Sequence, residues 1–180
     1  MDLLASIRTE YARHRRMAEL AVAQVSDAAF DQCLDPHGNS IAVVMAHLAG
    51  NLRSRFTDFL TTDGEKPWRD RDREFEAPGV TRAELMARWR EAWTVLDRAL
   101  ADVAAAGPDA LGRTVTIRDQ PLTVGDALLR SVAHLAYHVG QIALMARAFA
   151  GDRWQTLSIP RGGSAAYAAN PTREKSPDGR

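Results

Sequence analysis

Four stretches of the chain carry apolar residues at intervals of three and four, the spacing of one face of an α-helix. The first covers residues 2–25. Leu4, Ile7, Tyr11, Met17, Leu20 and Val25 fall on its apolar side, and Asp2 is placed to cap it. The second follows a Ser40 cap over residues 41–62, with Ile41, Val44, Leu48, Leu52, Phe56 and Phe59 in phase. The third opens at Thr81, where Glu84 completes a capping box, and runs over residues 82–106 to the stop formed by Gly107 and Pro108. The fourth, after a Thr123 cap, covers residues 124–150 and closes at Gly151. Its stripe is Val124, Leu128, Ser131, Leu135, His138, Ile142, Met145 and Phe149.

The segments between are polar and rich in turn-forming residues. SDAAFDQCLDPHGN (residues 26–39) reads as turns, and DGEKPWRDRDREFEAPGV (residues 63–80) as a charged linker broken by Pro67 and Pro78. Residues 114–117 alternate, and Asp119-Gln120 offers a turn, so a short hairpin is expected before the last helix. After Gly151 the chain reads as extended and rich in Gly and Pro. The fold class is all-α: a four-helix bundle with at least one crossover. One domain is expected over residues 1–168, with a flexible tail over 169–180.

Composition narrows the function classes. Lys and Arg number 23 against 23 for Asp and Glu, so no net charge draws the chain to nucleic acid or to an anionic membrane. The cationic YARHRR (residues 11–16) reads as a solvated helix face. No apolar run reaches the ~18 residues of a membrane span, and none near the amino terminus suits a signal peptide. Cys33 is the single cysteine, which excludes an internal disulfide and a multi-cysteine zinc site. A cytoplasmic setting is expected.

The chemistry concentrates in SVAHLAYHVGQI (residues 131–142). His134 and His138 stand four apart, on one face of the fourth helix, with Cβ atoms roughly 5–6 Å from each other. Two imidazoles on one ion at about 2.0–2.1 Å need nitrogens only roughly 3 Å apart, a separation that such a pair reaches without backbone strain. The other reading is a pair of core histidines satisfied by neighbours. His47, amid apolar residues on the second helix, favours an ion, because bundles build metal sites from ligands on facing helices. Three imidazoles leave coordination positions open, as catalytic ions require. His14, between arginines, is expected to face solvent, and His37 to lie in a turn.

Three stretches carry a family resemblance: SIAVVMAHLAGNLRSRFTDFLTTDGEKPWRDRDREFE (residues 40–76), AHLAYHVGQI (133–142) and LSIPRGGS (157–164). In them the chain resembles the DinB-like metal-binding four-helix-bundle superfamily, especially a branch of unknown function related to low-molecular-weight-thiol transferases. The resemblance implies a divalent metal on His47, His134 and His138, an up-down-down-up helix order and a homodimer. It also implies partners of two kinds: a low-molecular-weight thiol and a small electrophilic substrate.

Around that site, Asn51 is one turn beyond His47, Tyr137 and Gln141 bracket His138, and Arg161 sits among glycines on a terminal loop; these are the candidate substrate contacts. Asp126, two turns before His134, is a candidate base. No setting activates Cys33 as a nucleophile. The ion would be zinc, nickel or iron, all suited to imidazole. Two functions are expected from these residues. One is a metal-dependent enzyme, catalysing S-transfer with a thiol or hydrolysis; the other is a non-catalytic, metal-stabilised dimeric scaffold.

Overall fold

The computed structural model describes residues 2–171. The chain is mostly helical, with one small two-stranded sheet. Each long helix starts at the cap its sequence provides. Asp2 caps α1 (Leu3–Val22) by accepting from the Ala5 amide. A short helix α2 (Asp27–Asp31) follows, capped by Ser26 in the stretch expected to be turns only; it buries Phe30. Ser40 caps α3 (Ile41–Phe56), and Thr81 with Glu84 forms the full capping box of α4 (Arg82–Ala105). The hairpin strands β1 (Thr114–Ile117) and β2 (Gln120–Thr123) lead into α5 (Val124–Ala150), capped by Thr123. Gly151, at φ 56, ends α5 in a backbone conformation that disfavours other residues. A final short helix, α6 (Ser164–Ala169), lies in the segment expected to be extended, and residues 172–180 of the expected tail lie outside the described residues.

Helix α3 packs mainly along α4, α1 along α5, and α3 also meets α5. The core between them is aromatic on one side. The Tyr11 ring meets Phe56 and Trp93 edge-on, at centroid distances of 6.2 and 6.3 Å, and its hydroxyl donates to the Leu128 carbonyl at 3.2 Å. Trp89 is fully buried and still satisfies its indole N–H, which donates to Glu19 at 3.0 Å.

The second helix is shorter than its apolar spacing suggests. It stops at Phe56, six residues before the expected end, because Thr57 is extended and Asp58 takes φ 49. The chain then doubles back: Ser54 Oγ donates to the Gly64 carbonyl at 2.9 Å and accepts from the Lys66 amide. Phe59 is buried nonetheless, by the return of the chain rather than by continued helix. Gly64 also donates to the Thr116 carbonyl at 2.8 Å, which ties the start of the linker to β1.

The hairpin turns at Arg118-Asp119, one residue earlier than expected, since Ile117 pairs with Gln120. Both turn residues have positive φ, 56 and 59, as a two-residue hairpin of this type requires. Neither is glycine. The strain is offset by Asp63, whose carboxylate accepts from the Arg118 and Asp119 amides, each at 2.9 Å. Burial raises the Asp63 pKa, but the amide hydrogen bonds outweigh it and hold the carboxyl well below the usual range.

Candidate metal centre

His47 lies in the second turn of α3, and His134 and His138 lie one turn apart in the middle of α5. The α3–α5 contact brings them together. The three ring centroids are 4.6 to 5.1 Å apart, and one nitrogen from each lies within 4.8 Å of the other two. His47 is 3% exposed, while His134 and His138 are half-buried at the edge of the apolar stripe.

Hydrogen bonds fix which nitrogens face inward. His47 Nδ1 donates to Glu74 Oε2 at 2.9 Å. Glu74 can only accept, being ionised: burial raises its pKa, but hydrogen bonds from Arg69 and then His47 outweigh that and lower it. The proton therefore sits on His47 Nδ1, and Nε2 presents a lone pair. On α5, His138 Nδ1 donates to Gln141 Oε1 at 2.8 Å, which frees its Nε2 in the same way. His47 Nε2 and His134 Nε2 are 3.1 Å apart. At that distance either His134 Nε2–H donates to the His47 Nε2 lone pair, or both nitrogens turn lone pairs toward a shared ion. The separation is also the roughly 3 Å expected of two nitrogens on one ion at about 2.0–2.1 Å.

The side chains of this cluster therefore fit a divalent metal. Burial, and after it the neighbouring charges of His138 and His47, lower the His134 pKa from 6.5 to about 4. Burial also lowers that of His138. Both imidazoles thus stay neutral near pH 7, the form that ligates. A carboxylate or amide oxygen on the far nitrogen of a ligand histidine is the usual support of such sites.

Glu74 comes from the linker, where a single 3-10 turn (Arg73–Phe75) packs on α3. Arg69 holds it through two hydrogen bonds, Nε to Oε1 at 2.8 Å and Nη2 to Oε2 at 2.7 Å. The pair is enclosed, with the Arg69 side chain 2% exposed and that of Glu74 11%. Gly50 makes room for it: a Cβ there would lie 2.9 Å from Glu74 Cδ and closer still to Oε1. Phe75 lies against the His47 ring at 4.6 Å. Sequence reasoning missed Glu74 and Arg69, which stand in a charged linker with no periodicity. The one available signal was a glycine inside the apolar second helix, because glycine there costs about 0.5–1 kcal/mol relative to alanine and calls for a packing reason.

The candidate substrate contacts part company. Asn51 lines a cavity of about 180 Å³ together with His47 and His134. Gln141 orients His138. Tyr137 touches the His138 ring edge-on at 5.0 Å, but it is mostly exposed and outside that cavity. Arg161 is exposed on its terminal loop and does not line the cavity either. Asp126 exchanges hydrogen bonds with Thr123 at the α5 cap and does not line the cavity. His14 is half-buried rather than solvent-facing: one turn along α1 at i+4, its Nδ1 bonds the Glu10 carbonyl. His37 is exposed; neither joins the cluster.

Fold and site together define a mostly helical protein with three histidines gathered where a metal ion could be held. The chain belongs to a family described as proteins of unknown function (DUF1572), whose family model matches residues 1–163. No curated protein and no solved structure matches it. Among the described residues, no helix is long and apolar enough to cross a membrane.

Proposed function

We propose that this protein binds a divalent metal through His47, His134 and His138 and is a metal-dependent enzyme of the DinB-like superfamily. One observation carries the reading: three imidazoles converge, two of them with their outer nitrogens engaged by Glu74 and Gln141, so that lone pairs face a common point. The pairing of α1 with α5 and of α3 with α4, the latter two separated by a long connection, is compatible with an up-down-down-up order.

A divalent ion there supplies Lewis acidity, which lowers the pKa of a thiol or water nucleophile toward neutrality. The chain itself supplies the rest. Glu74 and Gln141 hold two imidazoles in the ligating tautomer, Arg69 keeps Glu74 ionised, and Asn51 faces the adjoining cavity as a hydrogen-bonding group. S-transfer from a low-molecular-weight thiol to a small electrophile is the favoured reaction, with hydrolysis as its variant. The exposed Leu129, Tyr137 and Leu144 recur along one side of α5, beside the site, and suit a homodimer contact.

A second reading, a non-catalytic metal-stabilised scaffold, is favoured by one fact. Among the described residues no carboxylate lines the cavity beside the histidines, so none there is placed as a general base. Elemental analysis of untagged protein beside His138→Ala tests the site, and a screen of thiols with an electrophilic acceptor then separates the readings. Near-stoichiometric zinc, nickel or iron, lost in the variant, with a rate above that of His138→Ala, is the expected outcome. Metal without any rate, together with a melting temperature that falls on chelation, would select the scaffold. Wild-type protein that neither carries nor takes up these ions would end both.

A further inference from the structure

The cavity beside the histidines is lined by five arginines: Arg55, Arg69, Arg71, Arg118 and Arg130. In a chain with no net charge this concentration is local, and among the described residues only two carboxylates form ion pairs with it. Glu65 is shared by three of the guanidinium groups, with Arg118 at 2.9 Å, Arg55 at 3.2 Å and Arg69 at 3.7 Å. Glu74 is taken by Arg69 and His47. Among the described residues no carboxylate pairs with Arg71, which lies over the Phe75 ring, or with Arg130. Positive charge is therefore in excess on the cavity wall.

Two of these groups are also short of hydrogen bonds. Arg55 Nη1 and Arg69 Nη1 are buried and find no acceptor in hydrogen-bond geometry, although both are within ion-pair range of Glu65. A buried donor without an acceptor costs about 1–3 kcal/mol, more when charged. Burial pushes the Arg55 pKa down; Glu65 opposes this, and the charges of Arg69 and Arg118 add to it. The strained hairpin turn makes the same point from the backbone. Asp63 holds Arg118 and Asp119 at positive φ, and this sets the half-exposed Arg118 side chain at the cavity rim.

From this geometry we propose that the cavity binds the carboxylate or phosphate group of a small anionic substrate. Arg71, Arg118 and Arg130 form the mouth, Arg55 and Arg69 the interior, and His47 and His134 line the same space. Guanidinium forks match both oxyanions bidentately. A volume of about 180 Å³ holds a molecule of only a few non-hydrogen atoms beyond that group. The assignment rests on the metal-dependent reading for its chemistry, since the anionic group is what retains the substrate beside the imidazoles.

Calorimetric titration of the full chain with inorganic phosphate and with succinate tests it, on EDTA-treated protein and in parallel with metal analysis. Arg71→Gln and Arg130→Gln are the variants, singly and together; both side chains are exposed and unpaired by carboxylates, and a melting curve checks the fold. The expected result is saturable binding of at least one probe, weakened at least about tenfold in the double variant through lost charge-assisted hydrogen bonds, with metal per chain unchanged. Preference for phosphate or for succinate names the oxyanion. Absence of binding for both probes, or a folded double variant that binds as the wild type does, overturns the assignment. The two readings fail separately, because metal content reports the histidines and titration of the chelated protein reports the arginines.

Discussion

The histidine on α3 and the two on α5 reach one point by different means. On α5 the support is local: Gln141 stands three residues after His138 on the same helix and holds it with a neutral amide at 2.8 Å. On α3 it is imported. The group behind His47 comes from 27 residues away, is charged, and is itself clamped by a buried arginine. A local prop can be lost without disturbing its neighbours. A buried ion pair drawn from a linker cannot, because each member depends on the other for its burial.

That contrast sets the order of the expected effects. Glu74→Ala leaves the Arg69 guanidinium enclosed with only Glu65 in range, and stability to urea should fall by about 3 kcal/mol. A loss under about 0.5 kcal/mol would mean that the linker does not brace α3. Gly50→Ala should act on the same pair from the other side. Its Cβ displaces Glu74, so metal affinity measured with a competing chelator should drop about 10-fold or more. Helix propensity alone would instead stabilise the variant by up to about 1 kcal/mol. A Gly50→Ala protein that is more stable and keeps its affinity would detach Glu74 from the site.

On the α5 side, Gln141→Ala should weaken metal binding by at most about tenfold, and its stability should change by less than about 1 kcal/mol. Equal effects of Gly50→Ala and Gln141→Ala on affinity would erase the difference between the two supports.

A separate effect is that of pH on the metal-free protein. His134 titrates near 6.5 when unfolded and about 4 when folded, so between these values the unfolded chain takes up a proton that the folded chain refuses. Stability should fall as pH drops from about 6.5 to 4. Glu74 acts in the same direction lower down, since its lowered pKa gives stability that is lost as it protonates. Thermal melts across this range check the sign. In His134→Gln the upper part of the decline should flatten, and a decline unchanged in that variant would assign it to other groups.

The legible parts of the site were those that repeat with the helix period. His134 and His138 announce themselves as a pair at i and i+4, and His47 as a polar residue in an apolar face. Asn51 followed from being one turn on. Arg161 and Tyr137 were singled out by neighbourhood in sequence, and the fold does not bring them into the cavity. The inward turn of Glu74, Arg69 and Arg71 was illegible for a physical reason. Residues of an irregular linker have no period to place them on a face, and which of its many charges turn inward depends on what they meet. Even the apolar phase of Phe59 misled about the helix while being right about burial.

By itself, the sequence determined the long helices, their caps at Asp2, Ser40, Thr81 and Thr123, the stop at Gly151, and the pairing of His134 with His138 one turn apart. These rest on interactions within one or two helical turns, which local sequence encodes completely. Only the tertiary structure decided that Glu74 and Arg69 stand behind His47, that Asp63 holds a strained turn, and that five arginines share one cavity. Each of these is a contact across chain segments. It exists because burial makes an unpaired charge costly, so the folded chain must bring distant partners together.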